Sequence, residues 1–156
     1  MTSWKDFEAD QPDFARRVQR LFKRQKHMTM ATLRRDGSPR ISGTEVEFDA
    51  EDLVLGMMAG ARKASDLARD DRLALHSPSV DPPAEDQRSW SGEAKIAGRA
   101  VPANPENTDE AGEQPDGEMF VADITEVVIT GLNAEATKLV VESWTPERGL
   151  RRVERD

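Results

Sequence analysis

From Pro12 to Phe22 the apolar residues Phe14, Val18, Leu21 and Phe22 stand at i, i+4, i+7 and i+8, one face of a helix, and Pro12 suits its first position. The opposite face is basic: between Pro12 and His27 six lysines and arginines stand against Asp13, a net of +5. Such a face is either solvated, with its late cations complementing the helix C-terminus, or a dock for an acidic segment or nucleic acid. At Met28 the period changes to two. Met28–Leu33 and Pro39–Phe48 read as strands joined by the turn Arg35-Asp36-Gly37-Ser38, with Ile41, Val46 and Phe48 as the apolar members of the second. Gly43 sits in mid-strand, where a missing side chain weakens pairing but lets a bulge form or another group approach the backbone closely.

Beyond the turn Asp49–Asp52, the unbroken apolar run Leu53–Met58 predicts a strand buried on both faces. A short helix over Ala64–Asp70 and a strand over Arg72–His76 follow. Ser77–Ser89 holds three prolines and reads as a loop, and Gly92–Val101 as a strand with a break at Gly98. Pro102–Glu118 carries six acidic residues, three prolines and no lysine or arginine, the composition of an acidic mobile surface loop. Met119–Thr130 is the strongest β segment. A turn or short helix around Asn133–Thr137 leads to a strand at Leu139–Trp144, and Arg148–Asp156 is a charged tail. Six or seven short strands, one N-terminal helix and a short connecting helix predict an α+β domain, mainly antiparallel β. With so little helix to cover a sheet, closure into a barrel is the economical way to remove edges. The length of 156 residues fits one domain over residues 1–156.

Composition narrows the chemistry. The absence of cysteine excludes thiolate nucleophiles, disulfides and Cys-ligated metal centres. A net charge of −8, with no tyrosine and 5% aromatic residues, argues against nucleic acid as a partner. The longest apolar stretch, Leu53–Ala61, is far below the ~20 residues of a membrane-spanning helix, and the polar, acidic Met1–Gln11 lacks a signal-peptide core. A cytoplasmic address and no membrane partner are expected. His27 and His76 lie far apart, with no HxxxH pair and no GxSxG elbow, so each reads as structural. Glu51-Asp52 and Asp70-Asp71 lack the ordering of a calcium loop, and no metal site is expected.

One constellation asks for a ligand. Arg62 and Lys63 fall in the first turn of the short helix or immediately before it, where the macrodipole is positive and each cation is disfavoured by ~0.3–1 kcal/mol. Free N–H groups at a helix start, two cations beside them and Gly60 permitting close approach would cradle a phosphate or carboxylate, and Ser65 could add a hydroxyl. An ordinary solvated Arg-Lys pair is the alternative.

The order of these elements carries a resemblance. The run ATLRRDGSPRISGTEVEF, DLVLGMM and ARKASDLARDDRLALHS, followed by GEAKIAGRAV and ESWTPERGLRRVERD, resembles the FMN-binding split β-barrel of the pyridoxamine 5'-phosphate oxidase-like superfamily, which also holds deazaflavin-dependent reductases and haem-binding relatives. The resemblance implies a split β-barrel homodimer binding FMN and passing hydride or electrons to or from a small organic substrate. It sets the flavin phosphate on Arg62 and Lys63 and the ring along Arg40, Ile41, Ser42, Gly43 and Thr44. Met57 and Met58 would line the ring or ribityl chain, with core packing as the alternative. Trp144 with Arg151 or Arg152 would close the site, often across the dimer interface, although Trp144 suits a core equally well. ESWTPERGLRRVERD matches the C-terminal strand.

Two departures set this chain apart from the oxidase itself. Glu45 stands where that enzyme has a lysine for the substrate phosphate, and the histidine between the two C-terminal arginines is missing. A carboxylate there repels pyridoxamine phosphate, so vitamin B6 chemistry is not expected. A deazaflavin coenzyme, whose acidic tail would suit Arg40 and the basic helix, is the alternative cofactor. A non-catalytic flavin- or haem-binding module, or an interaction domain, is the alternative role.

Overall fold

A computed structural model of the chain describes residues 1–103 and 117–156. Two helices open it, α1 (Trp4–Asp10) and α2 (Pro12–Phe22), followed by β1 (Met28–Leu33), β2 (Pro39–Phe48) and β3 (Leu53–Met57). Helix α3 (Arg62–Arg69) leads to β4 (Arg72–His76), β5 (Glu93–Pro102), β6 (Glu118–Leu132), β7 (Leu139–Thr145) and β8 (Gly149–Arg155). The eight strands of the described residues share one antiparallel sheet in the order β3-β2-β1-β4-β5-β6-β7-β8, and an additional β3–β6 pairing closes the first six into a barrel. Closure removes the edges of those six strands, and β7 and β8 continue the sheet as a flap from the long β6. The fold is α+β, mainly antiparallel β.

Alternation sets which side chains enter the barrel. Met28, Met30 and Thr32 of β1, Leu53, Leu55 and Met57 of β3, and Leu73 and Leu75 of β4 are buried. In β3, Val54 and Gly56 face outward, so only one face of this strand is buried, contrary to the double burial its unbroken apolar run predicts. Ile41 differs in the same way. Its odd position puts it on the outer face of β2, 75% exposed, while Val46 and Phe48 pack against the core. The register then lines Ile41, Ala31, Ala74 and Ala97 in one row across β2, β1, β4 and β5 on the outside of the barrel.

Several boundaries depart from the sequence reading. Helix α1 falls in the stretch read as merely polar and acidic. It is held by a capping box, in which Ser3 and Asp6 exchange hydrogen bonds, and by Trp4 and Phe7, both buried. Helix α3 begins at Arg62 rather than Ala64. Gly98 marks a β-bulge against β6, not a break: its Cα lies so close to the Asp123 carbonyl that no Cβ would fit. The charged tail is a strand, β8, as the family resemblance implied. Of the acidic segment, Pro102 ends β5 and Glu118 begins β6, while residues 104–116 lie outside the described residues.

The two N-terminal helices cover the barrel through an aromatic cluster. Trp4 lies 4.6 Å from Phe48 and 5.2 Å from Phe7, and Phe7 lies 4.7 Å from Trp144. The cations of α2 and of the turn after it are partly used internally. Arg17 makes a bidentate pair with Glu142 of β7 at 2.7 and 2.9 Å, Arg16 pairs with Asp13, and Lys26 with Glu45. No helix among the described residues is long and apolar enough to cross a membrane.

Candidate functional site

The outer faces of β2, β3 and the start of β6 form the floor of a groove of about 780 Å³. Register places Glu45 opposite Gly56, and Gly56 opposite Met119. Gly43 and Gly56 leave this floor as bare backbone, and a Cβ on either would meet nothing within 4 Å. A flat group can therefore lie directly on the peptide planes. Met58, 81% exposed, stands on the rim, and Met57, 6% exposed, is rooted in the core. Lys63 reaches across from α3 and donates to the Gly43 carbonyl at 2.7 Å. Burial pushes its ammonium below the ordinary lysine range, against the opposing pull of Glu45. Glu45, paired to His27 at 3.1 Å and Lys26 at 3.4 Å, lines the groove with Glu47 on the β2 side, and Glu118 lines it on the β6 side.

The start of α3 is built differently from that of α1. Gly60, at a φ of +74°, turns the chain into the helix, and Ala61 at the cap offers no side-chain acceptor. The first N–H groups of α3 thus lack the cap that Ser3 gives α1. Successive helical residues project about 100° apart, so Arg62 and Lys63 open on different sides. Lys63 enters the groove. Arg62 lines a second cavity of about 480 Å³ with Arg34, Arg35, Arg40 and Arg69.

Asp66 anchors that second cavity. Its carboxylate is 4% exposed, accepts from Arg40 Nε at 2.6 Å and Thr32 Oγ1 at 2.8 Å, and lies 3.4 Å from Arg69. The Arg40 hydrogen bond, with smaller contributions from Thr32 and Arg69, holds the carboxyl below its usual range despite burial.

The structure gathers the predicted residues into two groups and leaves others apart. Gly43, Thr44, Met57, Met58 and Lys63 line the groove, and Arg40 and Arg62 the arginine cavity. Ile41, on the outer face, and the half-buried Ser42, on the opposite face, line neither. Trp144 is a core residue, 3% exposed, its ring tilted against that of Phe7 and its Nε1 donating to Asp10 at 2.8 Å. It pairs with Val127, eight residues along β6 from Met119 and so about 26 Å away along the strand. Arg151, exposed on β8, lies further still from the groove of its own chain. Sequence reasoning missed His27, Gly56 and Met119 as groove residues, while Glu45 lines the groove at the position the resemblance gave it. Gly56, an isolated glycine inside a strand, was the available signal.

A family model described as pyridoxamine 5'-phosphate oxidase matches residues 14–148, from α2 through β7. The chain belongs to that family. Among solved structures, a pyridoxamine 5'-phosphate oxidase-related, FMN-binding protein from Nostoc punctiforme PCC 73102 superposes with a TM-score of 0.63 at 9% identity, covering 94% of this chain and 96% of that one. An F420 reductase gives 0.53 at 17% identity, covering 70% and 94%. HutZ, a haem storage protein from Vibrio cholerae, gives 0.54 at 14% identity, covering 77% and 94%. At these identities the likeness is one of fold. No curated protein matches the sequence of this pyridoxamine 5'-phosphate oxidase family member.

Proposed function

We propose that the chain is an FMN-dependent oxidoreductase acting as a cytoplasmic homodimer on a small organic substrate. The single observation that carries this reading is the bare-backbone floor at Gly43 and Gly56 beside the uncapped start of α3. A flat ring fits the floor, and a phosphate fits the helix start, where Lys63 and Arg62 flank it. A flavin, when bound, supplies hydride and electron transfer; the chain binds, orients and screens it from water. Met58 and Met119 offer polarizable contacts for a ring edge. Glu45, Glu47 and Glu118 give the groove carboxylates on both sides of β3, which disfavour phosphorylated substrates and hence pyridoxamine phosphate. The row Ile41, Ala31, Ala74 and Ala97 offers a flat apolar face to a second copy, and any role for Arg151 at the groove requires that copy.

Changing both Arg62 and Lys63 to alanine should weaken FMN binding by about 3–6 kcal/mol, at ~1.5–3 kcal/mol for each charged hydrogen bond. Unaltered affinity in titration calorimetry overturns the assignment. A second reading, haem in the same groove, draws on His27, which lines it. The visible spectrum after adding FMN, the deazaflavin coenzyme or haemin separates the three.

A further inference from the structure

We infer that a third cavity, of about 390 Å³ between the end of α2 and β2, is a binding site for an amphiphilic carboxylate, an acid with an apolar tail. Strand β2 is the partition between this cavity and the groove. Gly43, Glu45 and Glu47 project from the outer face of β2, whereas Val46 and Phe48 lie on its inner face. Together with Phe22 of α2 and Met28 of β1, those two inner residues give the third cavity an apolar lining. Glu45 and Val46 border both spaces. The volume falls in the range of about 300–1,000 Å³ typical of small-molecule sites.

The rim of this apolar space is cationic. Lys23, Arg24 and Lys26 follow the last turn of α2, and the negative end of the helix dipole favours them there before any ligand arrives. Among the described residues, Glu45 is the one carboxylate lining the cavity, and Lys26 and His27 already engage it. Lys23 and Arg24 have no carboxylate partner among the described residues. Arg24 donates from Nη2 to the Ser91 hydroxyl, which ties it to the segment before β5, and its Nη1 is buried without an acceptor. An unpaired buried donor on a charged group is costly, and an anion beside Lys23 and Arg24 would supply what is missing. A small polar anion would leave the phenylalanine, methionine and valine lining unused, and a hydrocarbon would leave the two cations unmatched. A carboxylate on an apolar tail satisfies both parts, its two oxygens suiting a guanidinium. Glu45 at the rim penalises a dianionic head more than a single carboxylate.

The test is titration calorimetry of the full chain with octanoate, acetate, 1-octanol and octyl phosphate, each separately. Octanoate should bind at least tenfold more tightly than acetate, which lacks the tail, and at least tenfold more tightly than 1-octanol, which lacks the charge. The double variant Lys23→Ala/Arg24→Ala should lose at least tenfold in octanoate affinity while changing FMN affinity less than twofold, and Lys63→Ala should leave octanoate binding unchanged. Lys23→Glu, at an exposed position, serves as a second variant, and an unaltered thermal melt verifies that each is folded. The methyl NMR signals of Met28 and Val46 should shift on adding octanoate, and saturating FMN should alter its affinity less than twofold. Octanoate no tighter than acetate or 1-octanol, weaker than octyl phosphate, undiminished in both folded variants, or displaced by FMN overturns the proposal. Octanoate binding without FMN binding would sink the flavin reading and leave this site standing.

Discussion

Arg62 and Lys63 are neighbours in sequence, yet the cavities they enter have opposite constructions. On the Lys63 side the groove floor is bare peptide and the walls are methionines and carboxylates. On the Arg62 side the cavity gathers five guanidiniums, two of them fixed on one buried aspartate. One residue of helical rotation separates a surface suited to a flat, weakly polar body from one suited to concentrated negative charge. The difference teaches that a basic dipeptide at a helix start is two half-sites until geometry assigns each side chain.

The contrast is broken most severely at Asp66. Replacement by alanine leaves Arg40 and Thr32 without their buried partner and should cost about 3–5 kcal/mol of unfolding free energy, read from urea melts. Its folded carboxyl titrates below its unfolded value near 3.9, so its contribution is complete above that value and is lost as pH falls through the folded one. Below about pH 4 the gap between wild type and the Asp66→Ala variant should therefore narrow.

On the groove side the corresponding anchor is apolar. Met57→Ala should cost about 2–3 kcal/mol by opening a cavity beneath the floor, measured in the same melts. Lys63 then tests the electrostatics. With its ammonium held below the ordinary range, affinity for a phosphate monoester should begin to fall at a lower pH than for an ordinary lysine near 10.4. Lys63→Arg should flatten that decline, and identical profiles would remove Lys63 from phosphate binding. The smallest effect is expected at the rim, where Met58→Ala should alter stability by less than about 0.5 kcal/mol while shifting the spectrum of a bound flavin.

Much of this architecture was legible because local rules and burial agreed. β1, β2 and β4 match their sequence-derived limits, since period-two patterns were bounded by clear turns. Helix α1 escaped because it has only two buried apolar residues, although Ser3 and Asp6 at capping-box spacing marked its start. Ile41 was misjudged by composition although its odd position placed it opposite Val46 and Phe48. The divergence of Arg62 and Lys63 follows from helical geometry, but Lys63's partner Gly43 comes from β2, twenty residues earlier, and the arginines beside Arg62 from β2 and the β1–β2 turn, and local patterns do not encode such contacts. Trp144 was open between core and site, and only the approach of α1, bringing Phe7 and Asp10 to it, decides for the core.

Among the described residues, strand β8 has a neighbour on one side only, and its other border carries backbone groups that pair with none of them. Arg151, Arg152, Glu154 and Arg155 stud this seven-residue strand, and such charges hinder a foreign strand from docking there. Ending the chain after Thr145 would leave the barrel closed through β3 and β6, but would pass the open border to β7 with Val140 and Val141. The shortened protein would keep its cavities and become prone to precipitate on concentration: the last strand acts as a fender against self-adhesion.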